Sequence, residues 1–246
     1  MSKATDWEFM LNGDVQELRE LSQQPGSMFF NIYGGVDFWN DCPNHDFRMN
    51  TLYCEGEEDP HMVWQIGYEL LGLFNGASVL FDKDYRKASI HKVLYNNSEV
   101  RYVEKENMAA LLGNPSVPQE VIDREEQECR SSNTKFKLVR LAACNEDVYF
   151  FLKYLDMNID WTTLYKLKEA VESFAKHKNI ELSTNKDLRS AFHNTANNFS
   201  LSGFDSRHGF KMKVKDNNSD HMTISDGYRF VTNMVKKYLS EAYPGL

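Results

Sequence analysis

Between Arg189 and Lys215 the chain carries its densest run of basic side chains. Arg189, His193 and Asn197 recur every fourth residue, a spacing that stacks side chains on one face of a helix. Ser206-Arg207-His208-Gly209 follows, and then Lys211, Lys213 and Lys215. An imidazole can exchange a proton near neutral pH, and a guanidinium can grip a phosphate through two parallel bonds. The reading that follows is an anion site at Arg207 and His208, supported by Arg189, His193, Asn197, Lys211 and Lys213. In catalytic form it would cleave RNA without a metal, His208 serving as acid and base while Arg207 stabilises the charge on phosphorus. A structural reading competes with it. Arg207 could tie its loop to the carboxyl ends of helices, and the three lysines, alternating with Met212 and Val214, could be the wet face of a short strand.

Other chemistries lack their residues. There is no glycine-rich phosphate loop ending in Lys and Ser/Thr, no G-x-G-x-x-G, no H-E-x-x-H and no G-x-S-x-G. The acids Glu55, Glu57, Glu58 and Asp59 could hold a hard cation, but they directly precede a helix, whose positive end favours acids there in any case. No metal and no cofactor is expected. Cys42, Cys54, Cys129 and Cys144 show no paired spacing and read as free buried thiols.

The elements that must position these side chains follow from pattern. Asp14 and Glu17 resemble a capping box for a helix over 15–23 that ends at Gln24-Pro25-Gly26. Strands are expected at Met28–Tyr33 and Phe47–Tyr53. Asp59 and Pro60 then open a helix carrying Val63, Ile66, Leu70 and Leu73, with Asn75-Gly76 as its left-handed stop. Strands at Ala88–Tyr95 and Val100–Val103 join through Asn96-Asn97. From Asn114 to Thr134 the apolar content drops, which suits a linker or a solvated helix. Beyond it, Phe136–Leu155 reads as one long buried helix. Asp160, Thr184 with Asp187, and Thr223 with Asp226 announce three more, with an apolar stripe of Leu164, Leu167, Val171 and Phe174 on the first. The expectation is an α+β chain: a mixed N-terminal domain with a small sheet over residues 1–113, then a helical bundle domain over 135–246.

Composition bounds the rest. A chain of 246 residues with 41% hydrophobic and 26% charged residues has material for a real core and is neither fibrous nor wholly disordered. Its formal charge of -8 has the wrong sign for coating nucleic acid or an anionic membrane. That charge is uneven: residues 1–60 hold Lys3, Arg19 and Arg48 against twelve acids, which leaves any anion-binding surface to the later part. Asp6 and Glu8 interrupt any secretion signal, and Gln65, Glu69 and Asn75 interrupt the longest apolar segment, so a cytoplasmic protein is expected. Aromatic residues, at 13%, would also suit a surface for self-association.

The stretch AFHNTANNFSLSGFDSRHGF, with DWTTLYKLKEAVE before it and MTISDGYRFV after it, resembles the C-terminal pattern of a widespread group of uncharacterised bacterial proteins. The resemblance covers about 90 residues. A helical domain carrying an Arg and a His near a helix is also similar to the HEPN class of defence and toxin ribonucleases, in which four to six residues separate the two. Here Arg207 and His208 are adjacent, and three residues separate Arg189 from His193. Arg86 and His91 have the right gap but lie in or beside an expected strand. The resemblance implies a bacterial protein with a place in antiviral defence. Two functions are expected in that setting. The first is a binding or interaction protein taking a protein partner or a small anionic ligand, with RNA and a second copy of the chain as further candidates and a membrane excluded. The alternative is a metal-independent HEPN-like ribonuclease of a phage-defence or toxin system.

Overall fold

The computed structural model describes residues 5–37, 40, 42–106, 111–182, 185–210 and 221–246. Its sheet has five strands, β1 (Trp7–Asn12), β2 (Asn31–Asp37), β3 (Cys42–Asn50), β4 (Ser89–Tyr95) and β5 (Ser98–Glu99), in the order β2-β3-β1-β4-β5. All the pairings are antiparallel. Alternation along the central strand sets the two faces. Trp7, Phe9 and Leu11 are buried in the core, with Phe9 opposite Met49 on one side and Val93 on the other. Glu8 points to the other face. There it accepts from the Tyr33 hydroxyl and pairs with Arg48 at 2.9 Å, while Arg48 also grips Asp46. Asn96 and Asn97, at φ 48° and 66°, join β4 to β5, because asparagine tolerates the left-handed region that a two-residue hairpin needs.

Strand boundaries move relative to the sequence expectation. β2 starts at Asn31 and runs on through Gly34 and Gly35 to Asp37, and β3 ends at Asn50, so that Leu52–Cys54 forms a 3-10 turn. The expected strand at Val100–Val103 reduces to Ser98–Glu99. The carbonyls of Arg101 and Val103 are taken instead by the Trp64 indole and the Tyr68 hydroxyl.

Helix α1 (Val15–Ser22) is capped by Asp14, whose side chain accepts from the Glu17 N–H. Helix α2 (Pro60–Phe81), capped by Asp59, crosses the core face of the sheet with Gly67 against the Phe9 ring. It does not stop at Asn75-Gly76. Gly76 is the point at which a neighbouring helix passes: a methyl group there would overlap the Leu152 carbonyl. Its missing Cβ serves a close approach rather than a left-handed turn. Asn75 meanwhile acts as a second backbone, donating to the Ala88 carbonyl at 2.9 Å and accepting its N–H at 3.0 Å.

The later helices are α3 (Gln119–Ser131), α4 (Thr134–Cys144), α5 (Glu146–Asp156), α6 (Trp161–His177), α7 (Lys186–Asn197), α8 (Phe199–Ser202) and α9 (Ile224–Ala242). The long helix expected over Phe136–Leu155 is two. Asn145 takes extended angles, and its side chain donates to the Leu141 carbonyl at 2.8 Å, closing α4 so that α5 can leave in a new direction. Asp160 caps α6 and Thr223 caps α9 as expected. Thr184 lies outside the described residues, and Asn185 caps α7 by accepting from Asp187 and Leu188. The four cysteines are free, with Cys54 and Cys129 buried but Cys42 and Cys144 exposed.

The fold is therefore α+β, with an antiparallel sheet in the N-terminal part and helices dominating the C-terminal part. One hydrophobic cluster runs from Phe9 and Phe47 in the sheet through Phe74 of α2 to Phe151 of α5, Leu167 of α6 and Tyr238 of α9. Asp147 fastens the far end: it accepts from Lys178 at 2.7 Å and from the hydroxyls of Tyr238 and Tyr243. Among the described residues no helix is long and apolar enough to cross a membrane.

Candidate functional site

Helix α6 turns two surfaces to its neighbours. Leu164, Leu167 and Val171 enter the core, while Tyr165, Lys168, Glu169 and Glu172, three or four residues apart, form a polar edge. Helix α7 packs beside that edge through Phe192, which is fully buried and stacks on the Tyr165 ring at 6.1 Å. This contact fixes the rotation of α7. Arg189 and His193 then fall opposite the glutamates: the Tyr165 hydroxyl meets His193 Nδ1 at 3.1 Å, and Arg189 reaches Glu172 at 2.8 Å.

The chain returns to the same place after α7. Helix α8, a 3-10 turn at Gly203–Asp205 and the left-handed Gly203 at φ 61° reverse its direction. The Arg207 N–H donates to the Ala196 carbonyl at 2.9 Å, and the Thr162 hydroxyl donates to the Asp205 carbonyl at 3.1 Å. The Arg207 guanidinium lies 4.1 Å over the Tyr165 ring and meets Glu169 at 3.4 Å. His193 and Arg207 thus meet on Tyr165, while Arg189 lies further along the same edge of α6, on Glu172. His208, exposed, is held through its backbone N–H by the Ser206 hydroxyl at 3.3 Å. Asn197 donates back to the His193 carbonyl at 2.9 Å, which is a local structural bond. Lys211, Lys213 and Lys215, with the strand that could carry them, lie outside the described residues.

The electrostatics suit ligand exchange at the rim and rigidity beneath it. Lys168, 1% exposed, donates to Glu172 at 2.8 Å, so Glu172 bridges a buried ammonium and the surface guanidinium of Arg189. Burial holds the His193 imidazole below its ordinary pKa. Lys168 and Arg189 push the same way, against the pull of Glu172 and Glu169. The lowered pKa favours the uncharged ring at neutral pH, with Nδ1 paired to the Tyr165 hydroxyl. Arg189 and Arg207 each keep more than a third of the side chain in solvent. Such exposed pairs are worth only about 0–1 kcal/mol, so an entering anion can displace either glutamate.

The sequence singled out three of the gathered side chains and missed the group that gathers them. Tyr165, Lys168, Glu169 and Glu172 share one helix edge at legible spacing, but the adjoining apolar stripe is the stronger signal. Elsewhere, Glu57 spends one carboxylate oxygen on the N–H groups of Glu58 and Asp59, and Asp59 caps α2. Among the described residues no group of three or more His, Cys, Asp and Glu is placed to hold a metal. A cavity of about 570 Å³ flanks α7 on its other side, between Leu188, Ala191, Phe230 and Met234. No protein-family model, no curated protein and no solved structure matches the chain.

Proposed function

We propose that this chain is a binding protein whose α6–α7 face receives an anionic group, phosphate being the chemistry that two flanking guanidiniums fit best. The observation that carries the reading is the placing of Arg207, from a loop 14 residues beyond His193, on the same tyrosine ring that holds that histidine. Two exposed cations from separate segments, held by neighbouring glutamates along one edge of α6 with a hydrogen-bonding imidazole between α6 and α7, would form the charged clamp. Lys168 contributes by anchoring Glu172, because its ammonium is too buried to touch a ligand.

Titration calorimetry with inorganic pyrophosphate tests this. Arg207→Ala and Arg189→Ala should each weaken binding by about tenfold, since a charge-assisted bond is worth roughly 1.5–3 kcal/mol before the glutamate left behind is counted. Heats indistinguishable from dilution, or variants that bind like the parent, would refute the reading.

The pairing of His193 with a tyrosine whose ring also carries Arg207 favours a second reading, acid–base cleavage of RNA without a metal. Incubation of the protein with RNA in EDTA separates the two. Intact RNA supports binding alone. Cleavage abolished by His193→Ala or His208→Ala, with unchanged thermal stability, supports the enzyme.

A further inference from the structure

Three phenylalanines stand outside the core on the segment that delivers Arg207. Phe204 is 97% exposed and Phe210 69%, and both meet Phe199 edge to face at 5.4 Å and 5.5 Å. Large apolar rings clustered on a surface mark a contact site rather than packing. Arg207 sits three residues from each of Phe204 and Phe210, at most ~11 Å along a fully extended chain. We infer that Phe199, Phe204 and Phe210 form a stacking platform for the bases of a single-stranded nucleic acid, whose phosphates are held by Arg207 and Arg189.

This rests on the anion-binding reading above and names its ligand. Exposure on this scale leaves ring faces of Phe204 and Phe210 open to solvent, and stacking on a ring face is the interaction every unpaired base offers. A duplex hides those faces within its own stack. Each guanidinium is paired with one glutamate, Arg207 with Glu169 and Arg189 with Glu172, and Asp205 lies in the same loop, so the field is too weak to draw in a duplex or an anionic bilayer, and a strand that also stacks on the rings is the anion with enough to gain to displace the glutamates.

The test is fluorescence anisotropy of the full chain with labelled 12-nucleotide oligouridylate, oligothymidylate and a blunt duplex of equal length. Either single strand should bind at least tenfold tighter than the duplex, and the tighter of the two identifies RNA or DNA as the source. The logarithm of affinity should fall with the logarithm of salt concentration at a slope near ~-1.4, for two phosphates neutralised on a single strand. Phe204→Ala with Phe210→Ala should weaken strand binding by about tenfold or more and leave pyrophosphate binding and the denaturation midpoint unchanged. Arg207→Ala should weaken both ligands. If pyrophosphate binds but the phenylalanine variant holds strands like the parent, the platform is wrong and the anion site stands. If neither ligand binds, both fail. Self-association in light scattering, or sedimentation with anionic vesicles, abolished by the phenylalanine variant while strands never bind, also overturns the platform in favour of that other occupant.

Discussion

Replacing Glu172 by glutamine should cost far more stability than replacing its partner Lys168 by methionine, although the two substitutions break the same ion pair. The ammonium of Lys168 is 1% exposed and the carboxylate of Glu172 28%, with 2.8 Å between them. At an effective dielectric of about 20, opposite charges about 4 Å apart attract by roughly 4 kcal/mol. The glutamine carbonyl can still accept from Lys168 and recovers about 1–1.5 kcal/mol of that, leaving a net loss of about 2–3 kcal/mol from a buried charge without its counterion. Lys168→Met removes the buried charge itself. Glu172 keeps Arg189 and its solvent, so this variant should lie within about 1 kcal/mol of the parent or be more stable. The double variant should be milder than Glu172→Gln alone. Urea denaturation followed by circular dichroism, with an unchanged slope, reads all three. If Glu172→Gln lies within about 0.5 kcal/mol of the parent, or Lys168→Met costs as much as it does, the account of a buried ammonium anchored from the surface is wrong.

Gly76→Ala should destabilise by about 1–3 kcal/mol despite the better helix propensity of alanine, because α2 and α5 must separate to admit the methyl group; a gain near 1 kcal/mol in chemical denaturation would mean the helices do not touch there. Asn97→Gly should raise stability by a few tenths of a kcal/mol, its φ of 66° being free of cost only for glycine, and a lower midpoint would contradict the turn. His193 has a folded pKa below its unfolded one, so its contribution is fully present above about pH 6.5 and is lost as pH falls through the depressed value; His193→Gln should remove that part of the pH dependence of the urea midpoint, and identical profiles would refute it. For Asp147, burial raises the pKa but is outweighed by bonds from Lys178, Tyr238, Tyr243 and the Val148 N–H; its stabilisation is present above about pH 4 and lost as pH falls through the lowered value, and Asp147→Asn should flatten the acid limb of the stability profile.

How much of this was legible in the sequence depended on the range of the interaction concerned. Caps act within one turn, so Asp14, Asp59, Asp160 and Thr223 announce their helices correctly. Asn75-Gly76 and Asn145 misled because the same residue types serve two purposes. Gly76 is a clearance for Leu152, which lies 76 residues away, and nothing in its neighbourhood separates that from a helix stop. Asn145, inside an apolar run, breaks the helix by bonding its own Leu141 carbonyl, a local device that periodicity cannot register. At the candidate site Arg189 and His193 were visible through their four-residue spacing, and the loop arginine through its basic surroundings. Their meeting was not visible, because it depends on the Phe192–Tyr165 contact that sets the rotation of α7. The exposure of Phe204 was equally hidden, since an aromatic residue in sequence looks the same whether it enters the core or leaves it.

The carboxylate on β1 does more than join Tyr33 and Arg48. Side chains alternate across a strand, so sliding β1 by one residue would turn Glu8 toward Gly67 of α2, where the Phe9 ring now packs, and set Phe9 beside the Arg48 guanidinium and the Tyr33 hydroxyl. A charge without a partner in that interior is far costlier than any ladder bond the slip preserves. One acidic residue thereby locks the alignment of the central strand, and the two neighbours hydrogen-bonded to it are held in step.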